Sequence, residues 1–570
     1  MSDAANLLPP VPPQEDFPNG DLESQRPPLP AAPLSIISKT VAKVTTPKPP
    51  PKSKGISSLK LAVGAPIIGM IILIMTLLTP VVILVFCVVP KTVFIKKIQN
   101  LLKLPPVFLG SAVAAILCDK FSLDISYLQS SILPKLTNLL DGSNANFVDP
   151  DADDTPKNLP MPISDFGVAN KNYLNTGTLG MVPLSTVKSS LNIWTYCQTD
   201  PMNTYFGLVM GMMSGAQTIA AKYLGADYNE VTFQASSTKS LNLVWSGLNN
   251  GGYFNSDGQD IVLTSKQEHE GGLSGLEFFE KLGKFRIVKV DGIDLVSKDL
   301  TADSIVASYE AAIDDDGENR IKAIFTSHVS CITGCKNPVK KLAKLAHDYG
   351  AILVVDGAQS AGAIKVDMHD LDVDVYTVSA QKWTLAPTGT GLLYVRKSLS
   401  DKFMKVIEWN EGGAEGEPGP LSLSSFYTHS NGTNSEALIY GLSRSIMYLN
   451  KYGYATGALE EYNMKTRNFF YSKLCALLDE LGDKRDGAVV YSPPPGELAS
   501  PMVSLKLGDK RKGIMCHSFM YGENFVVKVM KDNQCDSGVE NGIRFSFHGY
   551  NTEADAVAVI DALRRFFTQH

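Results

Sequence analysis

Within residues 351–396, AILVVDGAQSAGAIKVDMHDLDVDVYTVSAQKWTLAPTGTGLLYVR, two apolar runs each end in a polar group. The first stops at Asp356, followed by Gly357, Ala358 and Gln359; the second stops at Ser379, followed by Ala380, Gln381 and Lys382. Ligands of open α/β sheets sit beyond the carboxyl ends of the strands, so both groups are expected at one crevice. A lysine in a partly dry site has a depressed pKa and can condense with an aldehyde. A carboxylate beside a pyridine nitrogen keeps that nitrogen protonated and strengthens the ring as an electron sink. Asp356 and Lys382 therefore suit pyridoxal 5′-phosphate, with Gln359 expected to hydrogen-bond the ring hydroxyl oxygen. The TGTG run after Lys382 lets backbone pass close by. Taken alone, a strand-end Asp and a surface Lys need no cofactor to explain them.

Further candidates lie elsewhere in the chain. QASSTKSLNLV, residues 234–244, sets Ser236, Ser237 and Thr238 at the start of a helical pattern. Hydroxyls and backbone N–H groups there favour a phosphate, although a simple helix cap would use the same residues. TSKQEHEGG contains His269, and SHVSCITG, after another strand end, contains Cys331. IRFSFHGYNTEAD contains Arg544, whose guanidinium can hold a carboxylate through two parallel hydrogen bonds. An Arg on an exposed edge strand is the plainer alternative.

Together these strings resemble the class V aminotransferase family of fold type I pyridoxal phosphate enzymes, from about residue 172 to the C-terminus. SAQKWTLAPTGTGLLYVR is similar to the family's Schiff-base segment, and its Lys-Trp and Ala-Pro pairs resemble the isopenicillin N epimerase-like branch most. YLNTGTLG, residues 173–180, resembles that branch's substrate-side opening motif and contains Asn175. NGTN, residues 431–434, resembles the loop whose Thr reaches the phosphate of a neighbouring subunit.

The resemblance implies catalytic roles for Lys382, His269 and Asp356, with the His269 ring stacked on the cofactor. It implies cofactor binding by Ser236, Ser237, Thr238, Gln359, Ser379, Gln381 and Thr433 as well, and substrate binding by Asn175 and Arg544. No metal is expected. A small amino-acid substrate and a homodimer follow. The expected reaction begins with α-proton abstraction and has an epimerase-, lyase- or transaminase-type outcome. A cysteine desulfurase or C–S lyase with a cysteine nucleophile is the alternative. Cys331, where that branch often has Asn, and Gln381, where it has His, depart from the desulfurase pattern. Cys516, beside His517, and Cys535 lie where a nucleophile would be sought. A non-catalytic membrane scaffold is a third reading, and an adaptor acting through its proline-rich tail a fourth.

The supporting strands and helices follow from periodicity. The runs DIVLTS, FRIVKV, IKAIFTS, AILVVD and VDVYTVS are strand-like, and NPVKKLAKLAHDYG is a helical pattern between two of them. Such alternation predicts an α/β domain with a mainly parallel sheet over 166–434. Residues 435–570 read as a smaller α+β domain, with strands near MVSLKL, NFVVKVM and IRFSFH and a closing helix from Thr552. GLVMGMMSGAQ is not a dinucleotide fingerprint, because no strand precedes it, and its glycines suggest close helix packing.

Residues 1–58 are rich in Pro, Ser and Lys and too poor in large apolar residues to offset chain entropy, so they read as a disordered tail. In 59–120, residues 61–90 carry no charge, and about 20 apolar residues suffice to span a bilayer. The stretch begins too far from Met1 for an ordinary signal peptide. Residues 104–118 offer a second pass or an interfacial helix. Lysines flank both sides of the anchor, so charge leaves its orientation open. A linker is expected over 121–165. The catalytic part is expected on the cytosolic side, where cofactor is available. Net charge is −6, which disfavours nucleic acid as a partner. The eight cysteines are scattered, unlike a disulfide framework or a zinc site.

Overall fold

The computed structural model describes residues 155–167, 172–204, 210–290, 299–317, 320–403, 435–530 and 542–570. All lie within one compact unit, Leu101–His570. The tail, the apolar stretches at 61–90 and 104–118, most of the linker, Thr433 and Cys535 lie outside the described residues. Among the described residues, no helix is long and apolar enough to cross a membrane.

The strands are β1 (Asn172–Tyr173), β2 (Val231–Gln234), β3 (Ile261–Ser265), β4 (Arg286–Val290), β5 (Ile321–Ser327), β6 (Ile352–Asp356), β7 (Val375–Ser379), β8 (Gly391–Val395), β9 (Val489–Val490), β10 (Met502–Lys506), β11 (Phe525–Val526), β12 (Lys528–Val529) and β13 (Gly542–Ser546). A seven-stranded sheet runs β2-β8-β7-β6-β5-β3-β4. Its pairings are parallel except those of β8, which is antiparallel to both neighbours. The apolar runs have no polar gaps because both sheet faces are covered. On β6, Val354 joins a cluster with Trp245 and Phe325, while Leu353 and Val355 join the opposite cluster with Leu342 and Ala346.

The covering helices are α1 (Leu184–Cys197), α2 (Met210–Leu224), α3 (Ser237–Asn250), α4 (Glu270–Lys281), α5 (Ala302–Asp316) and α6 (Val339–Asp348). Helix α6 buries Val339, Leu342, Ala343 and Ala346 at the spacing of one helical face, as NPVKKLAKLAHDYG predicts. On α2, an added Cβ at Gly215 would meet nothing within 4 Å. Close helix packing is therefore not why that glycine is there, contrary to the sequence expectation. The buried face of the helix is made instead by Met213, Ala216 and Ala220.

Four helices follow: α7 (Glu436–Lys451), α8 (Ala458–Leu481), α9 (Lys510–Gly522) and α10 (Glu553–Gln569). Helix α7 packs on α1 and α2, and α8 packs on α10. A four-stranded antiparallel sheet, β12-β13-β10-β9, backs the C-terminal core. Thr552 caps α10 in a reciprocal box: its Oγ accepts from Asp555 N–H, and Asp555 accepts from Thr552 N–H. The opening motif crosses over to this side, since β1 pairs with β11 and Asn175 bridges to Ser546.

Candidate active site

The carboxyl ends of β3, β5, β6 and β7 open into one small cleft. Its lining includes Ser237, Thr238, His269, Cys331, Asp356, Gln359, Ser379 and Lys382. Most of the sequence-derived candidates thus meet in one place.

Lys382 lies just past the end of β7. Burial pushes its amine below the ordinary lysine range, while Asp356 and Cys331 pull the other way. The segment around it is held tightly. Gly180 N–H donates to the Gln381 carbonyl at 2.7 Å, and a Cβ at Gly180 would stand 2.0 Å from the Lys382 carbonyl oxygen. Only glycine fits there, so the opening motif TGTLG has a physical reason for its last residue. Leu385 has φ of 56°, a left-handed conformation that costs a non-glycine residue about 1–3 kcal/mol. It is pinned by its N–H to the Lys382 carbonyl and by Ser445 Oγ donating to its own carbonyl.

Asp356 is buried at the end of β6 and accepts from Ala358 N–H at 2.9 Å. His269 caps α4: its Nδ1 accepts from Gly271 N–H at 2.9 Å, so the ring proton belongs on Nε2. Gln359 lines the cleft with its amide already engaged. Its Nε2 donates to the Gly177 carbonyl and its Oε1 accepts from Trp383 Nε1–H, both at 2.8 Å. The expected contact with a ring hydroxyl would compete with these two bonds.

At the other end, α3 points its N-terminus into the cleft. Ser236 is a helix cap, accepting from Lys239 N–H at 3.2 Å, which is the plainer of its two expected roles. Ser237 N–H donates to Ser379 Oγ, and Ser379 Oγ donates to Ser237 Oγ at 3.0 Å. Ser237 and Thr238 face the cleft, where the positive end of the helix favours an anion.

Arg544, on β13, is 3% exposed. Its Nη1 donates to the Cys331 carbonyl at 2.6 Å and its Nη2 to Thr178 Oγ1 at 2.9 Å, while Nε is buried without a partner. Burial lowers its pKa to about 10. Among the described residues no carboxylate pairs with it, so the nearby cation lacks its usual counter-charge. Asn175 Oδ1, Ser546 Oγ and Gln381 Oε1 are likewise buried without partners. A Cβ at Gly177 would meet Gln359 Oε1, Arg544 Nη2 and Ser546 Oγ within about 3 Å, so that glycine keeps the polar hollow open.

Several site residues have a role that the sequence motifs do not assign. Glu268 is buried between Ser265 and Ser327, and its neighbour His269 was the only residue there to draw notice. Trp383 Nε1 orients Gln359, and the Trp383 ring stacks on His548 with centroids 5.9 Å apart. His328, behind Asp356, shares a hydrogen bond with Tyr376 OH at 2.8 Å, and burial lowers its pKa to about 3. Cys516 is fully buried in the C-terminal core, where desolvation lifts its thiol to about 12. That corrects its standing as a candidate nucleophile, because the thiolate is what attacks.

The residues present fit pyridoxal phosphate. They supply a buried amine, an acid at the neighbouring strand end, a helix N-terminus for a phosphate, and polar atoms without partners around a small hollow. Comparison with known proteins agrees. The chain is 24% identical over 404 residues to a probable cysteine desulfurase of Methanothermobacter thermautotrophicus, covering 67% of this chain and 91% of that one. It is 26% identical over 427 residues to one from Staphylococcus epidermidis, covering 71% and 94%. Among solved structures, the fold is similar to apo cysteine desulfurase from Thermococcus onnurineus NA1, with a TM-score of 0.60 and 22% identity over 73% of this chain and all of that one. It is also similar to the cystine C–S lyase C-DES bound to cysteine persulfide, with a TM-score of 0.59 and 18% identity over 70% and 98%. The sequence profile of the class-V aminotransferases matches residues 202–559, and the chain belongs to that family of pyridoxal phosphate-dependent enzymes.

Proposed function

We propose that this enzyme cleaves the C–S bond of cysteine or a closely related sulfur amino acid. The observation that carries the reading is a sulfur amino acid's two needs met in one cleft: Arg544, buried without a carboxylate partner among the described residues, to hold its carboxylate, and a thiol, Cys331, in the wall beside Lys382, although Cys331 stands where desulfurases often have Asn and so would be a nucleophile of this chain's own. The names of the relatives, desulfurases and a C–S lyase, point the same way. Epimerase- and transaminase-type outcomes have no such support.

When bound, the cofactor supplies a sink for the electron pair released at the substrate Cα. Arg544 binds the substrate carboxylate and so fixes the amino acid in the hollow beside Asn175. Lys382, depressed by burial, takes the Cα proton and returns it. Asp356 holds a proton at the ring nitrogen. Ser237 and Thr238 would anchor the phosphate, and the His269 imidazole, held by its Nδ1 cap of α4, would stack against the ring. A desulfurase needs a thiol within reach of the substrate sulfur. Cys331 lines the cleft, and Cys535 lies outside the described residues.

The deciding experiment incubates the purified full-length holoenzyme with L-cysteine and follows sulfide, alanine and pyruvate. Alanine with a protein persulfide supports the desulfurase. Pyruvate with ammonia supports elimination of the sulfur by a C–S lyase. Exchange of the Cα proton with solvent and no sulfur release sinks both. C331S and C535S then assign the persulfide.

The proposal includes a homodimer. Leu184, Val187, Leu191 and Trp194 form an exposed apolar stripe along one face of α1, suited to covering by a second copy. Sedimentation showing a monomer at micromolar concentration would remove this part. Tethering by residues 61–90, with the catalytic part cytosolic, rests on thirty uncharged residues and is tested by protease protection in sealed vesicles.

A further inference from the structure

The β3–α4 loop places a carboxyl group behind the cleft that the chemistry above does not use. Glu268 is 1% exposed. Its Oε1 accepts from Ser265 Oγ at 2.7 Å, and its Oε2 accepts from Ser327 N–H at 2.8 Å and Ser327 Oγ at 2.5 Å. Ser265 ends β3 and Ser327 ends β5. Ser327 is the register partner of Asp356, whose carbonyl accepts from His328 N–H. The next residue after Glu268 is His269, fixed as the cap of α4. One carboxyl therefore links the loop that carries His269 to the strand end beside Asp356.

A purely structural tie would not need a charge. Glutamine could bridge the same serines at a smaller desolvation cost, since burying an ionisable carboxyl without a cationic partner is expensive. Among the described residues no Lys or Arg pairs with Glu268. The titratable groups facing it are Asp356 on β6 and Tyr309 on α5, with His269 adjacent on its own loop.

We propose that Glu268 is a positioning residue for the cofactor site, holding His269 and Asp356 in register and changing the electrostatic field behind the ring when it ionises. The inference depends on the cofactor site and is independent of which substrate bond is cleaved. Burial raises the Glu268 pKa to about 7, opposed by the Ser327 and Ser265 hydrogen bonds, while the nearby Asp356 charge adds to the rise. The ionisation thus falls in the neutral range. Because the folded value lies above the unfolded one, the folded state holds the extra proton between them. Stability then falls as pH rises from the ordinary carboxylate range toward 7.

The test uses the full-length chain with E268Q, E268A and S265A. In urea unfolding of the apo-protein, wild type loses stability between about pH 5 and 7, E268Q flattens that slope, and S265A, lacking one donor to the charged form, moves it to higher pH. In the holoenzyme, the pH midpoint of the cofactor's visible band falls by about half a unit in E268Q, because a negative charge has been removed. E268A weakens cofactor binding about tenfold, and E268Q restores it to within about threefold. Wild-type cofactor affinity in E268A, or an unchanged band midpoint in E268Q, overturns the proposal. If E268A does not fold, the E268Q midpoint decides alone.

Discussion

Two buried acids stand at opposite ends of the same sheet and have opposite surroundings. Asp374, just before β7, accepts from Leu353 N–H at 2.9 Å and His347 Nε2–H at 2.8 Å, and meets Arg396 Nε at 3.1 Å. Asp356, at the far end of β6, accepts from Ala358 N–H and faces a cleft with Lys382. One acid is enclosed by two hydrogen-bond donors and an arginine. The other keeps capacity for a ligand, next to an amine that burial has depressed. Burial of a carboxylate therefore does not mark function, whereas hydrogen-bonding capacity left open toward a hollow does.

The largest effect is expected at the open end. K382A should lose the pyridoxyl adduct found by mass spectrometry after borohydride reduction, and turnover should fall by roughly 10²–10⁴-fold. An intact adduct on another lysine would remove Lys382, and with it the open end of the sheet, from the chemistry. D356N should leave urea stability within about 1 kcal/mol of wild type while turnover falls on the order of 100-fold. D374N should do the reverse, costing about 2 kcal/mol of stability, discounted for the partial exposure of His347 and Arg396, with turnover retained.

The same end has its own pH signature. The Asp374 hydrogen bond raises the His347 pKa above its ordinary value. Its stabilisation is complete below the unfolded histidine pKa and fades as pH rises through the folded value, a dependence that D374N should weaken while Asp372, 3.3 Å from His347 Nδ1, retains the remainder. The smallest effect is expected from C516S: sulfide release unchanged, and stability lowered by no more than about 2 kcal/mol. A loss of sulfide release would show that the C-terminal core exposes its thiol during turnover.

Five strands of the large sheet, β3 to β7, were legible because a strand buried on both faces is written as a continuous apolar run, and the polar residue ending it is conspicuous, whereas the runs of β2 and β8 gave no such signal. Asp356, Ser379 and Lys382 were found that way. NFVVKVM reads as one strand in sequence, but Val527 separates β11 from β12, which pair with different partners. Glu268 and Ser327 were not legible as a pair, being 59 residues apart with nothing local to join them. The burial of Cys516 was hidden too, because CHS in a helical pattern reads the same on either face until the packing of α9 is known.

Legible in the residues alone were the alternation of strands and helices around β3 to β7, the strand-end amine and acid, the family likeness, and the uncharged stretch near the N-terminus. Those are properties of local composition and spacing. Tertiary structure alone decided which polar atoms remain without partners, which thiol lines the cleft, why Gly180 cannot carry a side chain, and how Glu268 links two strand ends. Each depends on groups distant in sequence being brought within hydrogen-bond or van der Waals range, where water can no longer substitute for a missing partner.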